Sequence, residues 1–189
     1  MRPTGTISEL SKMLGGDLYD ASDPELVALR LRARRLTRAY NLSEPDAIDE
    51  RRLLLNELLG VMGEGTWIEP PFHCDYGSQI SLGRGVYMNF NCIILDCNHV
   101  RIGDQTQLGP NVTLSAATHP LDAEQRVAGP ELAYPITIGN RAWIGAGAII
   151  GPGVTIGEDT TIGAGSVVMK DVPPGVVAAG NPCRVIRGL

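Results

Sequence analysis

Aromatic side chains are scarce in this chain, at 5% of 189 residues, so a core must be built from layers of aliphatic residues rather than ring stacks. Basic residues are outnumbered, 16 Lys and Arg against 21 Asp and Glu. The resulting net charge of −5 argues against a general nucleic-acid binder, and any anionic ligand must be held by a local basic cluster. Cysteines are few and unpaired in pattern: Cys74, Cys92, Cys97 and Cys183 form no C-x-x-C pair and no dense framework. They read as reduced thiols of a cytoplasmic protein. Cys92, Cys97 and His99 lack the rest of a four-ligand metal pattern, so core or turn roles fit them better and no metal is expected. No stretch approaches the roughly 18 apolar residues of a membrane span, and "MRPTGTISELSKML" has no apolar run with a cleavage site. The expectation is a soluble protein with neither nucleic acid nor membrane as partner.

What is abundant is glycine and turn-forming sequence, distributed unevenly. Residues 1–60 read as a helical segment. "SDPELVALRLRARRLTRAYN" offers Asp23 as N-cap, Pro24 at the first helical position and Glu25 in the first turn, predicting a helix from about Pro24 to Tyr40. A second helix is predicted in "SEPDAIDERRLLLNELLG", capped by Ser43 and stopped at Gly60. Arg30, Arg32, Arg34, Arg35 and Arg38 crowd the first helix, and the overall charge favours a solvated or subunit-facing surface for them over a chemical role.

From about residue 61 to residue 189 the pattern changes to a six-residue beat. Ile138, Ile144, Ile150, Ile156, Ile162 and Val168 are spaced six apart, and Gly139, Gly145, Gly151, Gly157 and Gly163 follow the first five. Leu82, Met88 and Ile94 hold the same beat earlier, with two extra residues before Ile102. A helix face repeats near 3.6 residues and a strand face at 2, so the period belongs to a larger unit, a solenoid coil whose corners fall every six residues. The glycines do not form a dinucleotide loop, because the third glycine of G-x-G-x-x-G always falls one place late. No G-x-S-x-G nucleophile elbow occurs. The stretch "LSAATHPLDAEQRVAGPELAYPITIG" breaks the beat at about 115–135, and long excursions of this kind tend to be functional.

With "PPFHCDYG", "YMNFN", "ATHPLD", "PITIGNRAWIGAGAIIGPGVTIG", "IGAGSVVMKDVP" and "AAGNPCRVIR", nearly the whole chain resembles the maltose and galactoside O-acetyltransferase group of the hexapeptide-repeat acyltransferases. The resemblance implies a mainly β fold, a left-handed parallel β-helix of triangular section behind the N-terminal helical segment. It also implies a homotrimer with active sites between subunits, acetyl-CoA as co-substrate, no metal, and a sugar acceptor.

The resemblance carries roles onto particular residues. His119 aligns with the family's general base. An imidazole of pKa near 6.5 can accept a hydroxyl proton at neutral pH, and Pro120 restricts its backbone to extended conformations. Glu131 matches a glutamate that orients that base. The backbone N–H of Ala146 would stabilise the oxyanion. Ala164 and Met169 match positions lining the donor path, and Lys170, Arg184 and Arg187 lie where the family holds the nucleotide part of CoA. Asp20, Asp75 and Asn89 match acceptor-binding positions. Cys97 stands where some galactoside-acetylating relatives carry a second acid after Asp96, and His73 where an aromatic is more usual. Rival readings are an antibiotic-modifying acetyltransferase, a non-catalytic trimeric scaffold, and a zinc hydratase on the same fold. The last has only His73, His99 and His119 for ligands.

Overall fold

The computed structural model describes residues 7–189, so the first six residues of the expected helical segment lie outside the described residues. Three helices come first, α1 (Glu9–Gly15), α2 (Pro24–Asn41) and α3 (Ile48–Leu58). Helix α2 begins as read from the sequence, with the Asp23 carboxylate accepting from the Glu25 N–H and Pro24 in the first turn. Helix α3 does not. It starts at Ile48, after Ala47, with no side-chain cap. Ser43 is instead spent on the α2–α3 connection, where its hydroxyl donates to Tyr40 O and accepts from Arg51 Nε. Helix α1 was not anticipated. Its signals are a Ser8 hydroxyl that accepts from the Ser11 N–H and a left-handed Gly16 at the far end, φ 79°.

From Val61 onward the chain winds through three parallel sheets, the faces of a triangular prism. The first face holds strands Val61–Met62, Ile80–Leu82, Val100–Ile102, Ile136–Ile138 and Thr155–Ile156. The second holds Trp67–Ile68, Tyr87–Met88, Gln107–Leu108, Trp143–Ile144, Thr161–Ile162 and Val176–Ala179, with Arg184–Gly188 added antiparallel at its end. The third holds Phe72–Cys74, Cys92–Leu95, Thr113–Ser115, Ile149–Ile150 and Val167–Val168. Ile68, Met88, Leu108, Ile144 and Ile162 stack inward on the second face, and each is fully buried. Burying such a side chain stabilises the fold by roughly 1.5–3 kcal/mol, so the aliphatic ladder replaces the missing aromatics.

Coil length varies, and it varies at one edge only. Three hexads make 18 residues, the step from Trp143 to its partner Thr161. Earlier the step is 20, as from Trp67 to Tyr87 and from Tyr87 to Gln107, and in the coil with the excursion it is 36, from Gln107 to Trp143. Along each coil the outward positions 61, 67, 73 and 81, 87, 93 keep the six-residue beat across the first two edges. All the extra residues therefore enter at the edge where the third face returns to the first.

Glycine follows the inward aliphatic because the next coil leaves no room for a side chain. A Cβ on Gly109 would stand 2.7 Å from Ala146 N, and one on Gly145 would stand 2.5 Å from Ala164 N. The helices close the first coil, where a solenoid needs a cap. The Asn41 side chain takes the place of a neighbouring strand, donating to Phe72 O and accepting from Phe72 N, both at 2.9 Å. Tyr40 donates its hydroxyl to Ile68 O.

Candidate active site

At the edge between third and first faces the extra residues of the early coils bring a buried polar triplet, Asp96-Cys97-Asn98, under the excursion. Asp96 and Cys97 both hold the turn at Asp75, and Asn98 ties down two other segments. The Asp96 carboxylate accepts from the backbone N–H groups of Asp75 (3.0 Å), Tyr76 (2.8 Å) and Gln79 (3.3 Å). The Cys97 thiol donates to Asp75 Oδ2 at 3.4 Å. The Asn98 amide donates to Met13 O, Leu14 O and Ala133 O, fastening the end of α1 and the return of the excursion to the coil. Met13, Tyr19, Leu26, Tyr76, Cys97 and Ala133 form a second small core here, apart from that of the prism.

The excursion leaves after Ser115 and folds as an antiparallel ribbon, Ala117–Thr118 against Leu132–Ala133, with a short helix α4 (Ala123–Val127) at its tip. The pairs are Ala117 with Ala133 and Thr118 with Leu132, so one further step along the register sets His119 opposite Glu131. On its other side Glu131 pairs with Tyr19 in an antiparallel bridge, and Tyr19 donates its hydroxyl to Glu131 Oε2 at 2.9 Å. The ribbon is thus the middle of a three-segment patch running from His119 through Glu131 to the N-terminal segment. His119 is exposed, and no described residue hydrogen-bonds its imidazole.

Two carboxylates, Asp75 and Glu131, share this corner, and each has a neutral donor. Burial pushes the Tyr19 hydroxyl far above its ordinary value, with the Cys97 and Glu131 charges adding to the effect. Burial likewise pushes the Cys97 thiol up, with Asp75 adding. Both groups therefore stay protonated as donors. The Asp75 carboxyl is itself raised by burial, an effect opposed by the Cys97 hydrogen bond and by the charges of Arg30 and Arg34 and reinforced by Glu131. Fully buried Asp96 is raised by desolvation to about 6 despite its N–H donors.

The other residues singled out from the sequence lie elsewhere on the prism. Asp20 is exposed beside this edge and accepts from Ser22 N and Ser22 Oγ, which lowers its pKa. Asn89 sits at the edge between the second and third faces, its amide oxygen accepting from Phe90 N at 2.7 Å. Ala146 and Ala164 occupy the same edge two and three coils on. Both are exposed, and neither N–H finds an acceptor among the described residues. Met169 lies over Gly151. Lys170 follows the last strand of the third face, while Arg184 and Arg187 lie on the terminal strand of the second. All three are exposed and form no ion pair among the described residues. All three sit on the last coils. One chain therefore gathers His119, Glu131, Asp75 and Asp20 at one edge and leaves Asn89, Ala146 and Ala164 at another.

Several participants were not read from the sequence. Arg30 is half-buried rather than solvated: it donates to Tyr76 Oη at 2.7 Å and Ala21 O at 2.6 Å, with its guanidinium 5.7 Å from the Tyr76 ring centroid. Tyr19, Tyr76 and Asn98 were not singled out either, and Asp96 figured only as the neighbour of Cys97. The one available signal was the frame shift before Ile102, which marks where chain leaves the hexad. Among the described residues no three His, Cys, Asp or Glu groups come together as a metal site, and no helix is long and apolar enough to cross a membrane.

Comparison with known proteins agrees with this architecture. Residues 135–170 match the bacterial transferase hexapeptide (six repeats), and residues 12–63 match the maltose acetyltransferase hexapeptide capping motif. A galactoside O-acetyltransferase of Escherichia coli is 47% identical over 93% of this chain and 87% of its own length. Nodulation protein L of Rhizobium meliloti is 52% identical over 95% of this chain and 98% of its own. Among solved structures, a maltose O-acetyltransferase from Clostridium difficile superposes with a TM-score of 0.96 at 45% identity, covering 97% of this chain and 98% of that one. A galactoside acetyltransferase in complex with coenzyme A gives 0.94 at 45% identity, covering 97% and 92%. The three-faced coil of hexads is that of a hexapeptide-repeat acetyltransferase. Within that class, the chain belongs to the family of sugar O-acetyltransferases that includes the maltose and galactoside enzymes.

Proposed function

We propose that this protein moves the acetyl group of acetyl-CoA to a hydroxyl of a sugar by direct attack, with His119 as general base. The observation that carries the reading is the placement of exposed His119 opposite Glu131 on a ribbon that leaves the coil beside Asp75. His119 takes the proton of the acceptor hydroxyl, and the oxygen forms its bond to the thioester carbonyl carbon. The oxyanion accepts from the Ala146 N–H, a donor with no acceptor of its own among the described residues. As the carbon–sulfur bond breaks, the imidazolium returns its proton to the departing thiolate. Glu131 holds the imidazole orientation from across the ribbon, and Asp75 and Asp20 accept from other acceptor hydroxyls.

The donor is held by Lys170, Arg184 and Arg187 at its phosphates and by Ala164 and Met169 along its path. The three basic residues fit a polyanion, because they are exposed cations without ion-pair partners among the described residues, on an otherwise acidic chain. The working enzyme is a homotrimer. A face of six residues separates the two functional edges by roughly 20 Å at 3.3 Å per residue, too far for one chain to close both on one substrate. A second copy brings its edge against the first, and Ile93, Ile149 and Trp143 on the second and third faces stand exposed to meet it. Its place of action is the cytoplasm, in keeping with four free thiols.

The test is CoA thiol release from acetyl-CoA against glucosides, maltose, galactosides and chitin oligomers, with wild type and His119→Ala in parallel. Acceptor-dependent release that collapses in the variant supports the reading. Release that is indifferent to His119 removes it, and a protein that neither turns over nor binds CoA is a scaffold.

A further inference from the structure

The acceptor side of the proposed site hangs on a residue that cannot touch the acceptor. Asp96 is fully buried, and its carboxylate collects three N–H groups from the single turn that carries Asp75. Successive N–H groups, those of Asp75 and Tyr76, converge on one oxygen, the arrangement by which a backbone concavity holds an anion. The same turn presents the Tyr76 hydroxyl to Arg30 and the Asp75 carboxylate to Cys97.

The fold does not need such an anchor to turn this corner. Three coils later the same edge is crossed between Ile150 and Thr155 by Gly151-Pro152-Gly153, with the plain six-residue step and no buried acid, and among the described residues the exposed Asp171 carboxylate there accepts from Thr155 N alone. The carboxylate and the two extra residues occur together, where the turn reaches out to place Asp75. Burial disfavours the ionised form of Asp96 and lifts its pKa to about 6, a cost expected of a group kept for a site rather than for the coil.

We infer that Asp96 is a positioning residue for acceptor binding: through the N–H groups of Asp75, Tyr76 and Gln79 it fixes the turn that aims the Asp75 carboxylate at the sugar. The inference rests on the reading of Asp75 as an acceptor-binding residue. Asp96→Asn keeps the size of the side chain but leaves one acceptor oxygen and no charge, and Asp96→Ala leaves neither oxygen.

The experiment combines steady-state kinetics with amide hydrogen exchange, using maltose and a methyl galactoside as acceptors and varying acceptor and acetyl-CoA separately. In Asp96→Asn the acceptor KM is expected to rise about tenfold or more, with the acetyl-CoA KM within about twofold of wild type. The Tyr76 and Gln79 amides should exchange at least tenfold faster while the Gly103 and Gly139 ladder amides keep their protection. Asp96→Ala should exceed Asp96→Asn in both readouts, and if it fails to fold the Asn variant decides. A purely structural role would lower the active fraction and leave the acceptor KM where it is, and that result overturns the inference. So would wild-type exchange at Tyr76 and Gln79. If wild type itself turns over neither sugar, the reading of function fails, and amide exchange still decides whether Asp96 holds the turn.

Discussion

Tyr19 and Glu131, 112 positions apart in the chain, are joined three times. The Tyr19 N–H donates to Glu131 O at 3.1 Å, the Glu131 N–H donates to Tyr19 O at 3.0 Å, and the Tyr19 hydroxyl donates to Glu131 Oε2 at 2.9 Å. The segment between the first two helices therefore forms an outer strand on the ribbon that carries His119. Through this pair the N-terminal cap and the excursion become one wall.

Removing only the hydroxyl tests that wall. Tyr19→Phe should cost about 1 kcal/mol, lowering the midpoint of thermal unfolding by roughly 2–4 °C. It should also lower kcat/KM, since Glu131 loses its one side-chain donor among the described residues. A variant with unchanged kcat/KM would separate the wall from catalysis.

His119→Ala should leave stability within about 0.5 kcal/mol of wild type, because the side chain is exposed and carries no hydrogen bond to a described residue. Its kcat should fall by about a hundredfold to ten-thousandfold, the usual contribution of a general base. Retained CoA binding by calorimetry would show that only the proton transfer was lost.

Lys170→Ala and Arg184→Ala should each raise the acetyl-CoA KM several-fold, roughly fivefold per kcal/mol, without moving the acceptor KM. The penalty should shrink as salt is added, because these are exposed charges. Equal effects on both substrates would assign the cations to the fold or the subunit interface instead.

The pH dependence of stability has a definite sign at Asp96. Its folded-state pKa of about 6 lies above the ordinary aspartate value of 3.8, so between those values the folded chain holds the proton more tightly than the unfolded chain. Stability contributed by this group is therefore full below about pH 4 and lost as pH rises through 6. Asp75, Cys74 and Cys97 face it with like charge when ionised, and Arg30 stands beyond Asp75 with the opposite charge. Asp96→Asn should flatten the change in melting midpoint between pH 5 and pH 7 relative to wild type. A parallel pair of curves would show that Asp96 does not titrate there.

Gly109→Ala places a methyl 2.7 Å from the Ala146 nitrogen, the proposed oxyanion donor. Overpacking of this kind costs about 1–3 kcal/mol, and kcat should fall more than the lost folded fraction explains. Circular dichroism melting and thiol release on the same sample distinguish the two.

Much of the fold was legible because the hexad is a local code. An aliphatic every sixth residue can be buried only if the chain corners at that interval, and Gly109 and Gly145 mark where the neighbouring backbone passes. The Asp23-Pro24 start of α2 was equally local. The Ser43 cap failed because its hydroxyl had a better use with Tyr40 and Arg51, partners that only the packed α2–α3 connection supplies. Arg30 looked like one more surface arginine until the turn at Tyr76 was folded against it.

The sequence by itself determined the coil, its period, the helical cap, the excursion and, with the family resemblance, the residues toward which chemistry points. Only the tertiary structure decided which of these meet. The edge that collects every extra residue brings Asp75, Glu131 and His119 together, while Asn89 and Ala146 stay on another edge of the prism. The reason is physical: the hexad specifies burial one residue at a time, whereas the site depends on hydrogen bonds between segments as distant as Tyr19 and Glu131 or Asn98 and Met13, and no local pattern encodes those.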